Sequence, residues 1–133
     1  MRIRVPLYLA ALLGFSIMAV AQTTTPPAGK SWLGLIDQQR YADSWNTAST
    51  LFKSHVGEAD WARQIKAARD PLGAVTGRKL ASDTHATSLP GAPDGDYQVL
   101  KFDSRFAHKS DAIETLTLMR DGGDWRVAGY FIR

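Results

Sequence analysis

The sequence predicts an α+β domain in which three helices lie on one face of a four-stranded antiparallel meander. Two observations carry this. Apolar residues recur at helical spacing up to Pro71, and beyond Gly77 they alternate with polar ones between turn signals. The adjacent glycines of Arg120-Asp121-Gly122-Gly123-Asp124-Trp125 supply the positive backbone torsions of a tight hairpin, which sets the register of the last two strands.

That register places Arg120 opposite Trp125, Leu118 opposite Val127, Leu116 opposite Gly129 and Glu114 opposite Phe131 on one face. Thr115, Thr117, Met119, Arg126, Ala128 and Tyr130 occupy the other, more polar face. For the preceding strand, an odd loop around 108–110 sets Leu100 against Leu118, Phe102 against Leu116, Ser104 against Glu114 and Phe106 against Ala112. A two-residue loop at Lys109-Ser110 would bring Lys101 and Asp103 against those leucines, because a one-residue slip exchanges the faces. The expected buried face is therefore Leu100, Phe102, Phe106, Leu116, Leu118, Trp125, Val127 and Phe131, with Glu114 among them.

Upstream, residues 1–21 carry Arg2 and Arg4, an apolar run and Ala19-Val20-Ala21, the pattern of a secretory signal cleaved after Ala21. The run contains Pro6 and falls short of the roughly 20 residues that cross a bilayer, so no stable membrane anchor is expected after cleavage. An exported, periplasmic or secreted domain follows. There is no cysteine, hence no disulfide and no lipid attached at one. Arg2 and Arg4 account for two of the formal +3 charges, and the residues after the signal mix both signs without a basic stripe, which argues against nucleic acid. Residues 22–30, with Pro26-Pro27 and Gly29, read as a flexible lead, and 31–133 as one domain.

The first helix covers 31–38, starting near Pro27 or Ala28, with Trp32, Leu35 and Ile36 on its apolar face. The second carries Tyr41, Trp45, Ala48 and Phe52 on one stripe. A third starts near Gly57 or Glu58, where Glu58 and Asp60 suit the positive end of the helix dipole, and buries Trp61, Ile65 and Ala68. It stops before Pro71, with Gly73 completing the exit. The stretch 77–89 is too polar for a central strand and reads as an edge. Leu89-Pro90-Gly91-Ala92-Pro93-Asp94-Gly95 returns the chain to the meander.

Trp32-Leu33, Asp37, Tyr41, Ser44-Trp45, Trp61, Arg69, Pro71-Leu72-Gly73, Arg78, the proline and glycine turn, Glu114-Thr115 and Trp125-Arg126-Val127-Ala128-Gly129-Tyr130 together resemble the bacterial family called domain of unknown function 4019. The resemblance implies a small exported domain and supplies no activity. The last strand is also similar to that of nuclear-transport-factor-2-like (cystatin-like) domains, whose curved sheet and helices enclose a conical pocket. This chain has no obvious hairpin between its second and third helices, where that fold usually has one.

Glu114 is the residue that stands out, because a carboxylate turned towards an apolar face must be paired or protonated. Arg69 and Arg78 are its expected partners. Two readings stand: an internal ion pair tying helices to sheet, or a polar anchor or general base at the bottom of a pocket. The candidate binding residues are Tyr41, Trp45, Arg69, Arg78, Glu114 and Tyr130; the candidate catalytic residue is Glu114. His55, His85 and His108 lack metal-site spacing, so neither metal nor cofactor is expected. Three functions remain open: a non-catalytic envelope domain binding a small amphipathic ligand or another exported protein, a hydrolase or isomerase using Glu114, and a structural module that dimerises through the sheet's outer face.

Overall fold

The computed structural model describes residues 24–133; the proposed cleavage site at Ala21 lies outside them. The elements are α1 (Pro27–Asp37), α2 (Tyr41–Thr47), α3 (Thr50–His55), α4 (Glu58–Arg69), a 3₁₀ turn (Asp70–Leu72), β1 (Val75–Ala86), β2 (Tyr97–Phe106), β3 (Lys109–Asp121) and β4 (Asp124–Ile132). The strands form one antiparallel sheet in the order β1-β2-β3-β4, and the helices cover one face.

Residues 27–30, counted in the lead on composition, are helical. Gly29 brings α1 close to the sheet, since a Cβ there would lie 3.2 Å from Leu100 and 3.3 Å from Leu116. The expected second helix is two. Ala48 is extended, and the Ser49 side chain accepts from Phe52 N–H at 3.1 Å to start α3. The break frees the Ser49 N–H to bond the Val127 carbonyl at 2.8 Å, which ties the helices to edge strand β4. Asp121, from the end of β3, accepts from Thr50 N–H at 2.7 Å and secures the same helix start. In α4 the buried stripe is Trp61, Ile65 and Arg69; Ala68 is exposed.

Register is where sequence and structure part. The β2–β3 hairpin turns at Ala107-His108 rather than around 108–110, pairing Phe106 with Lys109, and a bulge between Ser104 and Phe106 absorbs one residue. Leu100 therefore faces Leu116, Phe102 faces Glu114 and Ser104 faces Ala112, two residues from the expected partners. A shift of two preserves the face, so the interior still receives Leu100, Phe102, Phe106, Leu116 and Leu118.

In the last hairpin Gly122 and Gly123 hold φ of 63° and 89°, and Arg120–Trp125 and Leu118–Val127 pair as expected. An extra residue on β4, Ala128, then slips the ladder by one: Leu116 meets Tyr130, Glu114 meets Ile132 and Thr115 meets Phe131. Tyr130 consequently turns inward, and Phe131 points away from the core with 58% of its surface exposed. The expected pairs Leu116–Gly129 and Glu114–Phe131 do not form.

Candidate functional site

Six elements contribute to one polar cluster inside the helix–sheet interface. Arg78 on β1 lies opposite Ser104 on β2, and Glu114 lies on β3 beside them. Tyr130 arrives through the β4 slip, Asp37 from the last turn of α1 and Arg69 from the last turn of α4.

Glu114 is fully buried, and both its oxygens are occupied. Oε1 accepts from Arg78 Nε at 2.7 Å and Ser104 Oγ at 2.5 Å; Oε2 accepts from Arg78 Nη2 at 3.2 Å and from the Tyr130 hydroxyl. Arg78 also donates to Asp37, from Nη1 to Oδ2 at 2.8 Å and from Nη2 to Oδ1 at 3.0 Å. Asp37 Oδ1 accepts in turn from Arg69 Nη2 at 2.9 Å. Two guanidiniums and two carboxylates thus alternate, with no net charge: Arg69–Asp37 joins α4 to α1, Asp37–Arg78 joins α1 to the sheet, and Arg78–Glu114 joins β1 to β3.

Burial opposes the charges on Asp37 and Arg78, and their partners outweigh it. Desolvation would raise the Asp37 carboxyl, yet the hydrogen bonds and charges of Arg78 and Arg69 hold it below the usual range. Burial works against the charge on Arg78, but Asp37 and Glu114 push its pKa up. Burial and the Glu114 charge raise the Tyr130 phenol, so it remains a donor.

An acid sensitivity follows. Asp37 titrates lower folded than unfolded, so its contribution is complete above the unfolded carboxylate value of about 3.9 and is lost as pH falls through the depressed folded value. Urea unfolding should therefore show stability dropping below about pH 4, with Asp37→Asn flattening that slope. Lys109 and the Thr50 N–H also lower Asp111 and Asp121, respectively, so part of the slope survives the substitution. An unchanged slope in Asp37→Asn would show that this carboxylate is not held as described.

Of the six candidate binding residues, four meet in this cluster: Arg69, Arg78, Glu114 and Tyr130. Arg78 is the direct partner of Glu114, whereas Arg69 reaches it only through Asp37. Trp45 stands apart, its Nε1 donating to the Val56 carbonyl at 2.8 Å with Lys53 over its ring. Tyr41 borders a separate small cavity with Arg69. Asp37, the bridge between the arginines, had no mark as a buried anion: it ends an amphipathic helix, where an aspartate is usually solvated.

A distinct concavity lies at the surface between α1 and the β3–β4 hairpin. It has a volume of about 550 Å³, and its lining includes Pro27, Trp32, Leu35, Trp125 and Val127, with Arg120 and Arg126. None of the six candidates borders it. Trp32 and Leu35 stood out in the sequence only as an apolar helix stripe; periodicity marks which face is apolar without showing how far the neighbouring strand extends to cover it. Arg120 stacks on Trp125 at 4.7 Å, and among the described residues its guanidinium pairs with no carboxylate.

No group of three or more histidines, aspartates or glutamates among the described residues could hold a metal ion. No helix among them is long and apolar enough to cross a membrane. Among curated proteins none matches the chain. The model of one protein family matches residues 28–130, nearly all of the helix-and-meander unit, and on that match the chain belongs to the family described as protein of unknown function DUF4019.

Proposed function

We propose that this is a non-catalytic binding domain, exported and freed of its leader after Ala21, that holds a small amphipathic molecule in the groove between α1 and the β3–β4 hairpin. The observation that carries the reading is the groove itself: an open, largely apolar concavity of about 550 Å³, within the size range of small-molecule sites. Trp32, Leu35 and Trp125 would take the apolar body. Arg120, stacked on Trp125 and paired with no carboxylate among the described residues, would take an anionic head at the rim. The nuclear-transport-factor-2-like assignment belongs to this proposal too; the meander with helices on one face and the Trp125–Tyr130 strand support it.

Glu114 as a general base has no observation in its favour. A carboxylate without exposed surface, accepting four hydrogen bonds, is not placed to take a proton from a ligand.

Titration calorimetry with dodecanoate below its micelle concentration tests the groove. One saturable site is expected, weakened at least about tenfold by Leu35→Asp, weakened severalfold by Arg120→Gln, and unchanged by Phe131→Ser on the opposite face of the sheet. Absence of saturable binding, or equal binding to Leu35→Asp with its circular dichroism intact, would overturn the proposal.

A further inference from the structure

A second surface lies at the far end of β4 from the groove, on the edge of the sheet. An edge strand offers its backbone to further pairing, and proteins blunt such edges with bulges, charges or covering loops. Edge strand β1 has register breaks between Val75 and Gly77 and between Leu80 and Ser82, and it carries Arg78, Lys79 and Asp83. The first half of β4 is covered where the Ser49 N–H bonds the Val127 carbonyl, and it bulges at Ala128. From Gly129 to Ile132 none of these devices occurs: the ladder with β3 is regular, and Gly129, Tyr130, Phe131 and Ile132 carry no charge.

The backbone of this stretch has a definite bonding pattern. Arg133 and Ile113 exchange both N–H···O=C bonds, at 3.0 and 2.8 Å. In an antiparallel ladder such pairs alternate, so Phe131 and Gly129 also bond towards β3, and the N–H and C=O groups of Tyr130 and Ile132 point outward from the sheet edge. Among the described residues no loop or neighbouring element bonds them. Between them stands Phe131, 58% exposed and the one large apolar side chain among the described residues left in solvent.

That spacing decides the occupant. A second copy laid antiparallel about a twofold axis at Phe131 would pair Tyr130 with Ile132 of the other copy, and Ile132 with its Tyr130, so the outward groups find partners. Phe131 would then face Phe131 of the other copy in a pair without backbone bonds, the kind in which side chains approach most closely. Its neighbours on that face, Ile113, Thr115, Thr117 and Gly129, are uncharged. The nearest charge along the chain, Arg133, would lie opposite Gly129 of the other copy rather than another arginine, so like charges are kept apart. An unrelated strand could supply the backbone bonds, but a copy of this edge also covers the exposed phenylalanine with its own.

We propose that the chain forms a twofold dimer in which two β4 edges join their sheets across Phe131, leaving the groove near Trp125 open at the other end of the strand. The chain has no cysteine, so a single introduced one reports the register. Opposed Cα atoms in a pair of this kind are about 4.5 Å apart, within reach of a disulfide. Phe131→Cys should therefore become a disulfide-linked dimer under mild oxidation with diamide. Lys101→Cys, exposed on the same face but on interior strand β2, should stay monomeric under the same oxidation. Sedimentation velocity of the unsubstituted domain should show dimer increasing with concentration, and Phe131→Lys, which sets like charges face to face, should weaken association at least about tenfold. Any of four results would overturn the proposal: a strict monomer up to about 1 mM; undiminished association in Phe131→Lys; no cross-link in Phe131→Cys; or equally ready cross-linking of Lys101→Cys, which would place the contact on the flat of the sheet.

Discussion

Arg78→Leu is expected to cost about 3–5 kcal/mol of folding stability, a large share of the roughly 5–15 kcal/mol that a domain of this size possesses. The variant would leave Glu114, with no exposed surface, without a cation, and would leave Asp37 with Arg69 alone. Most of the loss comes from the stranded buried charge rather than from the attraction removed. A second substitution separates these causes. Arg78→Leu/Glu114→Gln should recover more than half of the lost stability, because the neutral amide still offers an acceptor to Ser104 or Tyr130. Urea midpoints at constant slope provide the readout. If the double variant were as unstable as the single one, the account of the cluster as a charge-balanced tie would be wrong.

Trp61→Ala is expected to cost a comparable amount, about 3–5 kcal/mol, through the cavity it opens beneath α4. The indole packs edge-on against Phe52 at 4.8 Å and lies 5.9 Å from Trp32. Its Nε1 donates to Ser44 Oγ at 2.9 Å, while Trp32 Nε1 donates to the Ser44 carbonyl at 2.9 Å, so one fully buried serine holds two tryptophans. Trp61→Phe keeps most of the volume and loses this hydrogen bond, and should cost about 1–2 kcal/mol. A loss below about 1 kcal/mol in Trp61→Ala would mean that the helices collapse into the space and that this contact does not organise the layer.

The inward turn of Glu114 was legible because alternation in β2 and β3 sets parity, and the error in the β2–β3 register was an even number of residues. Tyr130 and Phe131 exchanged places because the β4 error was odd. Ala128 is an ordinary strand residue, and nothing in its neighbours announces that it will stand unpaired. The bulge follows from how β4 must bend to receive the Ser49 N–H on Val127 and to bring Tyr130 against Glu114 and Trp32. The second helix was misread for a related reason: its apolar stripe continues through the extended Ala48, so periodicity gives no sign of the break.

What the amino-acid sequence by itself determined is local: the helix exit at Pro71 and Gly73, the glycine hairpin at 122–123, the order of helices before strands, and the face that β2 and β3 bury. Torsional preference and apolar period act within a few residues, so those features are written where they occur. Tertiary structure alone decided that Asp37 bridges Arg69 and Arg78, that Tyr130 caps Glu114, and that α1 and the last hairpin leave a groove between them. These depend on the cost of burying charges and polar groups that lie tens of residues apart, and that cost exists only once the chain has brought them together.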